Sequence, residues 1–265
     1  MAERLRGKTA IILGAGQTPG ETLGNGRATA MRFAEEGARL VLVDRNLTSA
    51  RESLELCQER GAEGYCVEAD VTSEAACAAL IEECVERFGR VDILHHNVGV
   101  GGQDAGPAHL TEEAWDRIFK INLKGMMFSC KHVLPVMRQQ KSGSIINISS
   151  VAAVCSVGIV AYKSSKAAMN AYTQSLAIGN AKYNIRANVI MPGLMNTPMA
   201  IEGYVSAGRE REEVIAARNA AVPLANQMGD AWDVANAAVF LASEEARFIT
   251  GVCLPVDGGQ SARIG

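Results

Sequence analysis

The sequence predicts a doubly wound α/β fold, in which a parallel β-sheet is covered by helices on both faces. Short apolar runs alternate along the chain with longer stretches whose apolar residues recur at helical spacing. The runs are mostly apolar throughout, as in strands that are buried on both faces of a parallel sheet. No linker or low-complexity tract interrupts the alternation, so residues 1–265 are expected to form one domain.

The predicted strands are the apolar runs themselves. The first run, KTAIIL, leads into a glycine-rich loop, and the second, RLVLV, ends at Asp44. The run at 64–69 is the least apolar, and the run at 185–191 ends at Pro192. Strands are predicted at residues 8–13, 39–43, 64–69, 91–95, 144–148, 185–191 and 252–256.

The stretches between the strands are predicted to be helices. Gly37 and Gly61 each follow one of them, at the position where glycine commonly ends a helix. Ser73, directly before Glu74, is predicted to cap the start of a third helix. Helices are predicted at residues 27–36, 48–60, 73–88, 112–140 and 160–183, and in parts of 195–221 and 230–243.

Composition and charge exclude several classes of protein. Hydrophobic residues make up 48% of the chain and charged residues 21%, with a net charge of −3, which excludes an intrinsically disordered chain. The near-neutral charge does not favour binding to nucleic acid, which requires a basic surface. The chain also has no run of about 18 apolar residues, so no membrane-spanning helix is expected. The 7 cysteines are odd in number and include no CxxC pair, so we expect buried free thiols and a cytoplasmic protein.

The loop after the first predicted strand carries the pattern Gly14-x9-Gly24-Asn25-Gly26. Glycines between a strand and a helix let the backbone approach a pyrophosphate, which then lies at the helix N-terminus, where free N–H groups point outward. A chain with 26 glycines contains such patterns by chance. The position after a strand and before a helix nevertheless favours a dinucleotide site over a mobile loop.

Acidic residues end two further predicted strands. Asp44 follows the last loop glycine by 18 residues, where a carboxylate can accept hydrogen bonds from both ribose hydroxyls and would repel a 2′-phosphate. It therefore favours NAD over NADP, although the neighbouring Arg45 could accommodate the phosphate. Asp70 either bonds the adenine amino group or only caps the next helix.

The strongest motif is the sequence YKSSK at residues 162–166. In a helix, Tyr162 and Lys166 lie one turn apart on the same face. A phenol with a pKa near 10 is a poor acid–base catalyst at neutral pH, and a nearby ammonium is expected to lower that pKa toward the working range. Upstream, Ser149 and Ser150 close a predicted strand and place hydroxyls at the mouth of the sheet.

In combination, these motifs make the chain similar to the short-chain dehydrogenase/reductase family over nearly its whole length. Four more segments resemble the family's motifs. They are residues 97–99 (NVG), which match the second half of NNAG, 122–125 (NLKG), 192–197 (PGLMNT) and 256–259 (VDGG). The resemblance implies about seven parallel strands in the order 3-2-1-4-5-6-7, and a homotetramer.

The resemblance also implies a mechanism. Tyr162 would exchange the alcohol proton as acid and base, and Lys166 would lower its pKa and hold the nicotinamide ribose. Ser150 would bond the substrate oxygen, and Asn122 would hold a water that connects Lys166 to solvent. The dinucleotide-binding residues implied are Gly14, Asn25, Gly26, Asp44, Arg45, Asp70, Val71, Asn97, Gly99, Tyr162, Lys166, Pro192, Gly193 and Thr197.

The substrate is expected to be a hydrophobic secondary alcohol or its ketone. By family position the pocket is lined by residues 152–159 and by a lid at about residues 194–222, and both segments are mostly apolar. The substrate contacts expected are Ser150, Ala152, Gln103, Tyr162 and Met195. An NADPH-dependent 3-oxoacyl-type reductase and a non-catalytic dinucleotide-binding regulator are the alternative functions.

The sequence departs from the family's pattern in three places. Nine residues separate Gly14 from Gly24, six more than in the family's loop, and the insertion is expected to bulge over the pyrophosphate or adenine side with Glu21 facing solvent.

The family's spacing to Tyr162 selects Ser149 as the catalytic serine, whereas the NISS motif selects Ser150, which we favour. Residues 96–99 read HNVG where the family has NNAG, and because His95 and His96 point to opposite faces of a strand, no metal site is expected there.

Overall fold

The computed structural model describes residues 3–155 and 158–263. Within these residues, parallel strands form a seven-stranded sheet in the order β3-β2-β1-β4-β5-β6-β7, which confirms the predicted order. The strands are β1 (Thr9–Leu13), β2 (Arg39–Asp44), β3 (Gly64–Glu68), β4 (Ile93–His96), β5 (Gly143–Ile148), β6 (Ile185–Pro192) and β7 (Cys253–Val256).

The helices also fall where the apolar periodicity predicts them, with bounds that differ by a few residues. The side chain of Ser73 accepts a hydrogen bond from the Ala76 N–H, so the predicted cap of α3 is present. The helices are α1 (Asn25–Glu35), α2 (Leu47–Gln58), α3 (Glu74–Phe88), α4 (Glu112–Phe119), α5 (Gly125–Gln140), α6 (Val160–Asn180), α7 (Pro198–Ser206), α8 (Arg211–Ala220) and α9 (Ala231–Ala242).

The prediction of one continuous α-helix at 112–140 is wrong at its middle. A π-helical turn, Lys120–Lys124, separates α4 from α5. The turn carries the buried side chain of Asn122, and π-helical turns are often found where a helix carries a functional residue. Directly after it, a side chain at Gly125 would overlap Val71, so glycine allows α5 to approach the end of β3 closely.

Two hydrophobic cores lie on opposite faces of the sheet. Alternate residues of β1 enter different cores, since successive strand side chains point to opposite faces: Ala10 and Ile12 pack with α1 and α9, whereas Ile11 and Leu13 pack with α3, α5 and α6. Burial of the apolar side chains in these two cores makes the largest favourable contribution to the free energy of folding. No helix in the described residues is long and apolar enough to cross a membrane.

His95 and His96 end β4 and are fully buried. They face opposite sides of the sheet, since His95 packs edge-on against Phe33 of α1 and His96 lies near Lys166 of α6. Burial lowers the pKa of each imidazole to about 3, so both rings are neutral at physiological pH. The seven cysteines are all free, as expected, but Cys66, Cys155 and Cys253 are only half-buried.

Candidate active site

The predicted site residues converge at one edge of the sheet. Because all strands of the sheet run parallel, their carboxyl ends meet there, and ligands of open α/β sheets bind at this edge. Gly14 follows β1, Asp44 ends β2, Asn97 follows β4, Ser149 follows β5 and Pro192 ends β6. This edge is therefore the candidate active site.

The glycine loop forms a cradle for a phosphate group. Gly14 adopts a left-handed φ of 77°, and a side chain at Gly26 would overlap the Gly14 carbonyl oxygen. Helix α1 begins at Asn25 after Gly24, so no side chain caps its first N–H groups. The side-chain oxygen of Asn25 is buried without a hydrogen-bond partner in the described part of the chain. The uncapped N–H groups can donate to a dinucleotide pyrophosphate, whereas the Asn25 oxygen only accepts and suits a hydroxyl donor.

Asp44 holds a fixed negative charge beside this cradle. Its carboxylate accepts hydrogen bonds from the Gly16 N–H and from the Asn46 N–H, both at 2.9 Å. Arg45 is exposed. A carboxylate fixed at the tip of β2 fits hydroxyl donors and disfavours a phosphate at the same position.

Three further cofactor candidates have local structural roles. The carboxylate of Asp70 accepts the Thr72 N–H at 2.8 Å, and this bond holds the pKa of Asp70 below its usual value. Thr72 precedes Ser73, which caps α3, so this bond forms a turn before the helix and supports neither the capping nor the adenine interpretation of Asp70. Val71 is buried against Gly125, and the Asn97 amide donates to the Gly14 carbonyl at 3.2 Å. Asn97 thereby joins the end of β4 to the glycine loop.

The inserted residues of the glycine loop reach the lid, which was not expected. Gly20 lies so close to Pro198 and Glu202 of α7 that a side chain there would overlap both residues. Arg211 of α8 pairs with Glu202 at 2.9 Å and with Glu21 at 3.4 Å. The side chain of Glu21 is 72% exposed, as expected. Instead of only bulging over the dinucleotide side, the insertion contacts the helices of residues 194–222.

Asn122 links the loop after β4 to the helix that carries Tyr162. Its side-chain oxygen accepts the Val100 N–H at 2.8 Å, and its amide donates to the Val100 carbonyl at 2.9 Å. The amide also donates to the Ser165 hydroxyl at 3.1 Å, which in turn donates to the Tyr162 carbonyl at 2.8 Å. Ser165 was not among the predicted site residues, although it lies within the YKSSK motif.

Tyr162 and Lys166 lie on one face of α6, as their spacing predicts. The Lys166 ammonium is 5.7 Å from the centroid of the Tyr162 ring and donates to the Ile148 carbonyl at 2.7 Å. Lys166 is 2% exposed, and burial lowers its pKa to about 7. Gly99 lies between the Lys166 ammonium and Asn122, since a side chain there would contact both.

The pKa of Tyr162 is raised, whereas the sequence analysis expected it to be lowered. Burial of the phenol disfavours its charged form and outweighs a hydrogen bond from Ser150 that favours it. The Lys166 ammonium is directed to the Ile148 carbonyl and does not offset this burial.

The two candidate serines have different partners. Ser150 is partly exposed, its hydroxyl accepts the Ala152 N–H at 3.1 Å, and it lies near enough to the Tyr162 phenol to influence the pKa of Tyr162. Ser149 is buried, and its hydroxyl donates to the Lys166 carbonyl at 3.0 Å. The geometry thus supports Ser150 as the serine that faces the reaction.

The predicted nicotinamide contacts follow β6. The Gly193 N–H donates to the Val256 carbonyl at 2.9 Å, and Gln260 leaves no space for a side chain at Gly193. Thr197 is buried and precedes α7, where Pro198 is the first residue of the helix. This segment therefore connects the sheet edge directly to the lid.

The substrate side of the cleft agrees only in part with prediction. Met195 was expected to contact substrate, but it is 4% exposed and packs in the core on the α1–α9 face of the sheet, against Gly229. The apolar side chain of Met195 is compatible both with a substrate site and with the hydrophobic core. Gln103 is exposed, with a φ of 62°, and Ala152 is buried. Residues 156 and 157 of the predicted pocket segment lie outside the described residues.

Comparisons with known proteins agree with this arrangement. The family described as enoyl-(acyl carrier protein) reductase matches residues 21–261. The chain is 34% identical over 265 residues to 2,5-dichloro-2,5-cyclohexadiene-1,4-diol dehydrogenase LinX of Sphingobium indicum, which spans 100% of both chains.

Solved structures are also similar over nearly the whole chain. A crystal structure from Burkholderia xenovorans, assigned to the short-chain dehydrogenases/reductases, has 43% identity and a TM-score of 0.93 over 99% of both chains. Carveol dehydrogenase from Mycobacterium avium, crystallised with NAD, has 28% identity and a TM-score of 0.88, covering 98% of this chain and 99% of its own.

Proposed function

The chain belongs to the short-chain dehydrogenase/reductase family, and from that premise we propose that it interconverts a hydrophobic secondary alcohol and its ketone with NAD. As a member of this family it is an oxidoreductase that acts on CH–OH groups and binds a nicotinamide dinucleotide. The proposal adds to this the catalytic role of Tyr162, the preference for NAD and the apolar character of the substrate.

The observation that carries the proposal is that Tyr162 and Lys166 share one face of α6, with the Ser150 side chain near enough to the Tyr162 phenol to favour its ionised form. When bound, the nicotinamide accepts or donates the hydride. Tyr162 takes the hydroxyl proton of the alcohol in oxidation and returns it to the ketone oxygen in reduction. Ser150 bonds that same oxygen and stabilises the charge that develops on it.

Lys166 and Asn122 are proposed to assist the proton transfer at Tyr162. The Lys166 ammonium can hold ribose hydroxyls of the dinucleotide while it remains fixed to the Ile148 carbonyl. Gly99 lies between Lys166 and Asn122, and the absence of a side chain there leaves space for a bridging water. Asn122 is proposed to hold that water and to connect Lys166 to solvent.

The preference for NAD rests on Asp44. Its fixed carboxylate would repel a 2′-phosphate, and the exposed Arg45 is a weaker counterweight because solvent screens its charge. The apolar substrate is supported by the exposed apolar side chains of Met199 and Tyr204 in α7 and of Val154, which follows β5. A relative of 34% identity is named as a cyclic diol dehydrogenase.

A cofactor screen tests the proposal. We expect the absorbance of the reduced nicotinamide to increase when NAD and a panel of hydrophobic secondary alcohols are mixed with the protein, and to increase much less with NADP. A preference for NADPH and 3-oxoacyl substrates would favour the alternative reductase. Tight NAD binding without turnover of any alcohol or ketone would favour the regulator. The homotetramer and the cytoplasmic location stay predictions.

Shortening the glycine loop is expected to weaken dinucleotide binding. Deletion of residues 17–22 removes the Gln17 side chain, which accepts the Gly24 N–H at 2.9 Å and so holds the start of α1. We expect the KM for NAD to rise more than kcat falls. The control is Arg211→Ala, which breaks the ion pairs to Glu202 and Glu21 but keeps the Gln17–Gly24 hydrogen bond, so the KM for NAD should stay near that of the wild type. An unchanged KM in the deletion variant would show that the insertion does not support the cofactor site.

A further inference from the structure

Helix α6 begins without a cap from its own chain segment. Ile159 precedes its first residue, Val160, and cannot accept a hydrogen bond through its side chain. The leading N–H groups of a helix lack partners inside the helix and need them from elsewhere. The third residue of α6 is Tyr162, so whatever binds these N–H groups also fixes the turn that carries the phenol.

The partner is a carboxylate from a distant loop. One oxygen of Asp104 accepts the N–H groups of Val160 and Ala161 at 3.2 and 3.1 Å, and the other accepts the Tyr162 N–H at 2.7 Å. Asp104 also accepts the N–H of its neighbour Ala105 at 2.8 Å. A carboxylate at a helix N-terminus is favoured both by these bonds and by the helix dipole.

The loop that carries Asp104 is itself held in place. Asn122 fixes Val100 through two hydrogen bonds, and Arg117 donates to the Gly102 carbonyl. A side chain at Gly101 would come within 3.2 Å of the Tyr162 ring, so the backbone of the loop lies against the phenol. The loop therefore contacts Tyr162 at its ring through Gly101 and at its backbone through Asp104.

We propose that Asp104 is a positioning residue for Tyr162, capping α6 from the loop after β4 and fixing the phenol against that loop. Asp104 bonds backbone N–H groups and touches neither substrate nor the reacting atoms. A displacement of a reacting group by about 1 Å can cost about 100-fold in rate, so the loss of this cap should reach the chemistry. The inference rests on the proposed role of Tyr162.

Two substitutions at Asp104 remove different numbers of the hydrogen bonds that it accepts. Asp104→Ala removes all of them. Asp104→Asn keeps one acceptor oxygen for Val160 and Ala161 but turns an amide, which cannot accept, toward the Tyr162 N–H. Asparagine is also a good N-cap residue, so this variant should fold even if the alanine variant does not.

Asp92 provides a matched control. It is a buried aspartate that also accepts the N–H of a residue distant in sequence, Thr9, at 2.9 Å, and it pairs with Arg90. It directly precedes β4, at the edge of the sheet opposite the candidate site. Asp92→Asn should therefore lower thermal stability without reaching Tyr162.

The experiment measures kcat, KM for NAD and Tm for the wild type, Asp104→Ala, Asp104→Asn, Asp92→Asn and Tyr162→Phe. We expect kcat to fall about 10- to 100-fold in Asp104→Ala and less in Asp104→Asn, with the KM for NAD within about two-fold. In Asp92→Asn, Tm should fall while kcat stays within about two-fold.

The outcomes separate the two proposals. If Tyr162→Phe is inactive and the Asp104 variants keep wild-type kcat, or lose it only as much as Asp92→Asn at equal loss of Tm, the positioning role is wrong. A rise in KM for NAD that accounts for the whole loss of kcat/KM would also overturn it. If Tyr162→Phe keeps its activity, the proposed role of Tyr162 fails first.

Discussion

Tyr162→Phe is expected to lower kcat by about 1,000-fold or more while NAD binding is retained, since acid–base catalysis by a positioned side chain contributes about 10²- to 10⁴-fold. The phenylalanine ring keeps the contact with Gly101 and loses only the hydroxyl, whose pKa the nearby Ser150 side chain influences. Steady-state kinetics in both directions, with NAD binding followed by fluorescence titration, measure the two effects separately.

Tyr172→Phe is the matched control for this substitution. Tyr172 is a second partly buried tyrosine of α6, and burial raises its pKa to about 12. It packs against the core on the α3–α5–α6 face of the sheet, away from Ser150 and Lys166. We expect its kcat to equal that of the wild type within about two-fold. Equal losses in the two variants would show that the hydroxyl of Tyr162 has no special role.

The pH dependence of the reaction should follow from the same phenol. Oxidation needs the ionised phenol as base, and burial raises the pKa of Tyr162, so the wild-type oxidation rate should increase as the pH rises above neutrality. Reduction needs the protonated phenol and should persist over the same range. Tyr162→Phe keeps Lys166, whose pKa is lowered to about 7. A pH dependence near neutrality that remains in the variant is expected to come from the ammonium.

Local sequence patterns predicted the sheet and the face of α6 that carries the chemistry. Strands buried on both faces are mostly apolar, so runs such as TAIIL could be identified without knowledge of their neighbours. The spacing of Tyr162 and Lys166 fixes their common face wherever α6 packs. Both predictions depend on residues that are close together in the chain.

The features that sequence reasoning missed depend on contacts between distant segments. Asp104 meets Tyr162 across 58 residues, and Gly20 meets Glu202 across a much longer separation. Nothing in the local sequence distinguishes Asp104 from any other loop aspartate. The burial of Met195 was missed for a different reason, because an apolar side chain suits a substrate cleft and a core equally.

Ser150→Ala is expected to lower kcat by about 100-fold, which is the usual cost of removing one hydrogen-bond donor to the developing oxyanion. Ser149→Ala is its control, one residue away. Its hydroxyl is buried and bonds the Lys166 carbonyl, so its loss should cost about 1 kcal/mol of stability and leave kcat less affected. Thermal unfolding and steady-state kinetics of both variants decide between them. A larger loss of kcat in Ser149→Ala would assign the catalytic hydroxyl to Ser149, as the spacing to Tyr162 in related sequences suggests.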